Sequence, residues 1–201
     1  MNVKKPNKRE ALYRTMHNSM PGYRNHNWGL ITLHYWLPHL GLRQPASILE
    51  VGCGNGKLCQ MLSDMKYNVV GLDIVSSSYD RKDYDFVKHD LASGRLPFKD
   101  KEFDYCVSFD VLEHLEGKWV EEVIWDMFRV TRKKVIIVVP CIHKVISPLM
   151  KELHLTVKSA EWWIEKMNRQ ADKLQPRHIL ILPDKRAGEH LDRLLFCGAS
   201  E

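Results

Sequence analysis

The 201-residue chain has five cysteines but no C-x-x-C pair, no internal repeat, no low-complexity tract and no long apolar run. Each absence excludes a class. Without a stretch near the ~20 apolar residues that cross a bilayer, no membrane-spanning segment and no membrane partner are expected. Cys53, Cys59, Cys106, Cys141 and Cys197 are scattered and odd in number, which argues against a disulfide framework or a zinc knuckle. Several lie inside apolar runs, where a free thiol behaves as a small buried hydrophobe. A reducing compartment follows, most simply the cytoplasm. The opening MNVKKPNKRE is charged with no apolar run behind it, so no signal peptide is expected and the segment reads as a frayed polar terminus. The charge imbalance is small too: a net +5 does not demand a polyanionic partner.

What is present is an ordinary globular composition, with 44% hydrophobic and 27% charged residues, in a chain long enough for one well-buried core. From residue 47 onward, short β-rich runs alternate with amphipathic stretches. The strand candidates are SILEVGC (47–53), NVVGLDI (68–74), DFVKHDL (85–91), DYCVSFDV (104–111), KVIIVVP (134–140) and HILILP (178–183), with LLFCGASE as an abbreviated seventh. Their near-continuous apolar character suits parallel strands covered on both faces. Helices are predicted within 117–134, where Val120, Val123, Ile124, Met127 and Phe128 share a face, and within 159–174, capped by Ser159. This alternation predicts an α/β, Rossmann-like three-layer sandwich around a mostly parallel central sheet. HNWGLITLHYWLPHL (26–40) stands outside the alternation and reads as a helical cap. The expected organisation is a cap over 1–45 and a single globular unit over 46–201.

Between the first strand and its helix lies ILEVGCGNG (48–56), with Gly52, Gly54 and Gly56 in alternation. A turn of this kind lets a ligand approach the backbone and sets a helix N-terminus beside it. The dinucleotide fingerprint G-x-G-x-x-G would need glycine at 57, where Lys57 stands. The spacing is instead E-x-G-x-G-x-G from Glu50 to Gly56, which closely resembles the first motif of class I S-adenosylmethionine-dependent methyltransferases. The likeness continues in order along residues 45–140. VVGLDI places Asp73 at the end of the second strand, FVKHDL places Asp90 and Leu91 after the third, and FDYCVSFDVLEHL and RVTRKKVIIVVP match the fourth and fifth strands. The resemblance implies S-adenosyl-L-methionine as cofactor. It implies Glu50, Gly52, Cys53, Gly54, Asn55 and Gly56 as its loop, Asp73 with Ile74 at the ribose, Asp90 with Leu91 at the adenine, and Asp110 bordering it. The TRKK turn before the fifth strand departs from the family's lysine, proline and glycine run.

Methyl transfer is an in-line displacement at a carbon activated by its own sulfonium, so the enzyme mainly aligns the acceptor and removes its proton. Acceptor motifs therefore discriminate. Asp110-Val111-Leu112-Glu113 lacks the two prolines and aromatic of amino-methylating DNA enzymes. Pro140-Cys141 follows the fifth strand, so Cys141 reads as a buried thiol and not a nucleophile. If a helix begins near Asp110, then Asp110, Glu113 and His114 share one face. Glu113 and His114 are the expected catalytic pair. Small-RNA 3′-terminal 2′-O-methyltransferases carry E-x-x-E-H here and a later histidine, all binding a divalent metal. Asp110, Glu113, His114 and His154 would be the matching set, with Asp110 replacing the first glutamate. His143 and Lys144 are candidate acceptor contacts, and His34 and His39 lack a metal-ligand pattern.

The expectation is an enzyme that methylates an oxygen or nitrogen on a small-molecule acceptor, without a bound metal. Metal-dependent RNA 2′-O-methylation is the alternative, and a non-catalytic S-adenosylmethionine-binding subunit is the third reading.

Overall fold

The computed structural model describes residues 8–19, 41–75, 83–140, 153–174, 177–181 and 194–195. Its strands are β1 Ser47–Val51, β2 Asn68–Asp73, β3 Asp85–Lys88, β4 Phe103–Phe109, β5 Thr131–Val138, β6 Arg177–Ile181 and β7 Leu194–Leu195. Its helices are α1 Lys8–Ser19, α2 Lys57–Asp64, α3 Gly117–Arg129 and α4 Ala160–Leu174. All strands form one sheet in the order β3-β2-β1-β4-β5-β6-β7, parallel except where β7 runs against β6.

The layers follow from the period of two along each strand. Ile48, Tyr105, Val107, Ile136 and Val138 point to one face and pack with Leu58, Cys59 and Leu62 of α2. Their neighbours Leu49, Val51, Cys106, Val135 and Ile137 point to the other, against Val120, Ile124, Met127 and Phe128 of α3 and Trp163 and Met167 of α4. Burial on both faces explains why the central strands lack polar alternation, and the Rossmann-like three-layer sandwich is what the pattern required. Among the described residues, no helix is long and apolar enough to cross a membrane.

Three boundaries differ from expectation. α3 ends at Arg129 and not at 134, and β5 begins at Thr131. The cause is a buried anchor. Arg129 pairs with Asp126 and donates to Asp100, Phe98 O and Leu96 O, while Thr131 Oγ1 donates to Met127 O at 2.6 Å. The last turn's carbonyls are also taken by Lys101 N and Phe103 N, so the chain enters β5 beside Phe103 through a register shift. Second, the segment from Asp110 is no α-helix but a 3-10 turn, Leu112–His114. Third, Lys8, Arg9 and Glu10 are not frayed; they open α1, whose Met16 is 2% exposed. The proposed cap helix at 26–40 and the residues Cys141, His143, Lys144 and Cys197 lie outside the described residues, as do His34 and His39.

Candidate functional site

The sheet order reverses between β1 and β4, and a ligand crevice forms beyond the carboxyl ends of parallel strands at such a switch point. Both predicted motifs arrive there. The β1 loop is shaped by its glycines: Gly52, Gly54 and Gly56 have φ of 76°, 52° and 75°, in the left-handed region that side chains disfavour. Gly52 and Cys53 donate their N–H groups to Leu72 O at 2.7 and 3.0 Å, which ties the loop to the end of β2. Gly54 N donates to Asp73 Oδ2 at 2.9 Å, and Val75 N donates to Asp73 Oδ1 at 2.9 Å. Asp73 thus holds both loops at once. Ile74 sits between these contacts, and Asn55 Oδ1 accepts from Lys57 N at 3.1 Å to start α2.

Glu50 lies within β1, 4% exposed, where its Oε2 accepts from the Cys59 thiol. Burial, reinforced by the neighbouring charge of Asp73, pushes its carboxyl up to about 8. Cys53, Cys59 and Cys106 are buried free thiols. Asp90 caps the turn Leu91–Ser93 by accepting from Ala92 N at 3.0 Å, and Leu91 is buried beneath it.

After β4 the chemistry changes. Asp110 has φ of 52°, a strained value for a side-chain-bearing residue, fixed by its N–H donating to Val138 O at 2.9 Å. This redirects the chain into the 3-10 turn, where Glu113 and His114 are 1% and 9% exposed. Neither carboxylate oxygen of Glu113 has a hydrogen-bond partner. Burial pushes the Glu113 carboxyl well up, and the adjacent Asp110 charge adds to it. Burial also raises Asp110 to about 7. His114 moves the opposite way: burial, then His154, lowers it to about 4, so the ring is neutral at physiological pH.

A strap just before α4 completes this cluster. Thr156 N donates to Glu113 O at 2.9 Å, and Thr156 Oγ1 donates to Leu115 O at 2.7 Å. His114 Nδ1 lies 3.1 Å from Leu153 O. The strap sets the His154 ring edge-on to His114 with centroids 4.7 Å apart. The four residues matched from the sequence therefore separate into a trio, Glu113, His114 and His154, with ligand atoms within 4.8 Å of one another, and Asp110 alongside.

Helix α1 was missed as an element of the site. Arg9 donates to Asp90 Oδ1 at 3.1 Å, Glu10 meets Lys88 Nζ at 2.6 Å, and Tyr13 stands edge-on to His114 at 5.8 Å between centroids. Its mean hydropathy is low and its apolar face is thin, so periodicity gave no signal. Only the spacing of Tyr13 and Met16 hinted at a buried side.

The chain is similar to known methyltransferases over part of its length. A family profile described as "Methyltransferase domain" matches residues 49–139. A probable S-adenosylmethionine-dependent methyltransferase of Mycolicibacterium smegmatis is 32% identical over 89 residues, covering 42% of this chain and 34% of that protein. A ubiquinone biosynthesis O-methyltransferase of Rickettsia bellii is 25% identical over 142 residues, covering 66% of this chain and 57% of its own length. The chain thus spans from about a third to just over half of these curated relatives. Among solved structures, a putative methyltransferase of Bacillus halodurans superposes with a TM-score of 0.56 at 14% identity, over 69% of this chain and 68% of that one, a likeness of fold.

Proposed function

We propose that this chain, whose residues 49–139 match a methyltransferase-domain profile, is a class I S-adenosylmethionine-dependent methyltransferase that transfers a methyl group to an oxygen or nitrogen of a small-molecule acceptor. The observation that carries it is the contact of two loops. A Cβ on Gly52 would fall 2.2 Å from Val111 Cγ2, so the loop after β1 touches the turn that holds Asp110, Glu113 and His114. A cofactor seated on the first loop would present its methyl group towards the second.

On this reading Glu50, Gly52, Cys53, Gly54, Asn55 and Gly56 form the cofactor cradle. Asp73 with Ile74, and Asp90 with Leu91, receive the ribose and adenine, and Asp110 borders them. The sulfonium supplies the activated methyl group. The chain's own residues align the acceptor and manage its proton. Glu113 and His114 face the acceptor, and because His114 Nδ1 is committed to Leu153 O, only Nε2 can touch a ligand. Burial of both side chains supports a small acceptor over a polymer, since an RNA end would need an open groove. Residues 46–201 would form the catalytic unit and 1–45 the cap, of which α1 is the described part. Three buried free thiols fit a cytoplasmic setting.

Calorimetry with S-adenosylmethionine, and S-adenosylhomocysteine formation over a panel of hydroxylated and amino metabolites, tests the proposal. His114→Ala is expected to lower turnover by ~10²-fold while cofactor affinity stays within about threefold. Cofactor binding without turnover on any acceptor would favour a non-catalytic binding subunit. Binding of NADH with no response to S-adenosylmethionine would overturn the proposal.

A further inference from the structure

We propose that Glu113, His114 and His154 bind a divalent transition-metal ion, with zinc the best match to their ligand set. The argument is one of lone pairs. Leu153 O can only accept a hydrogen bond, so His114 Nδ1, 3.1 Å away, must carry the ring's proton. His114 Nε2 then presents a bare lone pair, and it lies 3.8 Å from Glu113 Oε1. Both Glu113 oxygens are buried and without a hydrogen-bond partner. Acceptors facing acceptors in a desolvated site are unfavourable unless a cation stands between them.

The surroundings point the same way. Among the described residues no lysine or arginine forms an ion pair with Asp110 or Glu113, although the two lie close enough for the charge of Asp110 to act on Glu113. A divalent ion would supply the missing positive charge. One atom each from Glu113, His114 and His154 lies within 4.8 Å of the others. In a tetrahedral site, metal bonds of roughly 2.0–2.2 Å hold ligand atoms about 3.3–3.6 Å apart, so binding closes the widest separation in the trio by roughly an ångström. Imidazoles that ligate metals characteristically anchor their second nitrogen on a carbonyl, as His114 does on Leu153. Two imidazoles and one carboxylate leave a fourth position open in a tetrahedral site, where an acceptor atom or water would bind. With the ion bound, His114 Nε2 would be a ligand and would act on the acceptor only through the metal, which departs from the metal-free site expected from the sequence.

The competing resolution is a proton on Glu113, with the two rings packed edge to edge and no ion. The full chain, stripped with chelator and dialysed, is titrated with Zn²⁺ by calorimetry in the absence of S-adenosylmethionine. One saturable site per chain is expected, with Glu113→Gln and His154→Ala each weakening it at least tenfold. Thermal melts confirm that each variant is folded. Zn²⁺ should raise the melting temperature of the wild type and leave Glu113→Gln unmoved. No saturable binding, or equal affinity in wild type and both variants, overturns the site and assigns any heat to surface residues. S-adenosylmethionine affinity measured on the same metal-free samples reads the methyltransferase proposal separately.

Discussion

The two halves of the crevice are built on opposite electrostatic plans. On the β1–β2 side, polar groups are satisfied in advance: each oxygen of Asp73 already accepts a backbone N–H, and the glycine loop is bonded to Leu72 O. On the β4 side, both carboxylate oxygens of Glu113 are buried without such a partner, and both Asp110 and Glu113 are driven towards protonation. The first half is rigid before any ligand arrives. The second holds an imbalance that only a ligand, an ion or a proton can relieve. A scaffold that binds one invariant cofactor suits the first plan, and chemistry on a reacting acceptor suits the second.

The comparison breaks most violently where the halves touch. Gly52→Val would drive a branched side chain into Val111 from a backbone at φ 76°. Loss of cofactor binding beyond ~10²-fold is expected, with overpacking costing about 1–3 kcal/mol of stability. Calorimetry and a thermal melt check both, and a variant that binds normally would show that the loops are not in register.

Next in size, Asp73→Ala releases Gly54 N and Val75 N together. A hydrogen bond to a charged group contributes ~1.5–3 kcal/mol, so cofactor affinity should fall roughly tenfold to a hundredfold. Unchanged affinity by calorimetry would remove Asp73 from the site.

Glu50 sharpens the contrast because it sits in the satisfied half yet behaves like the other. Its folded carboxyl is raised from an ordinary value of 4.5 to about 8, first by burial. Between those values the folded state binds more protons than the unfolded state. Its stabilising contribution is therefore fully present below pH ~4.5 and is lost as pH rises through ~8. Glu50→Gln should melt much like the wild type near pH 5 and become progressively the more stable of the two towards pH 8.5. Parallel melting curves across that range would show that Glu50 is ionised in its pocket.

The smallest effect belongs to the helix that spans the halves. The Arg9–Asp90 pair is partly exposed on both sides, 24% and 18%, so screening limits it. Arg9→Ala should cost no more than ~1 kcal/mol and shift cofactor affinity by less than about fivefold. A larger loss in calorimetry would make Arg9 part of the cofactor site itself.

The geometry of the β1–β2 half was legible because its signals are local. Three alternating glycines, a carboxylate at the end of a strand and continuous apolar runs each act over a few residues. The β4 half depends on encounters that spacing does not encode. The sequence suggested a helical face for Asp110, Glu113 and His114, but left-handed Asp110 and a 3-10 turn bring Glu113 and His114 into place instead. His154 joins them because Thr156 straps a distant segment to Glu113 and Leu115. The early start of β5 depended on the buried Arg129 anchor, which no window of hydrophobicity reveals. α1 escaped notice because its contacts are ion pairs and one ring edge.

That helix has a thermodynamic consequence. Arg9 reaches Asp90 beyond β3 and Tyr13 reaches His114 beyond β4, along one short helical rod. A ligand that displaces the rod at one end also shifts it at the other. Any resulting change in the acceptor's affinity on cofactor binding must be matched by an equal change in the cofactor's affinity on acceptor binding. Removing the helix would abolish any coupling that this route carries.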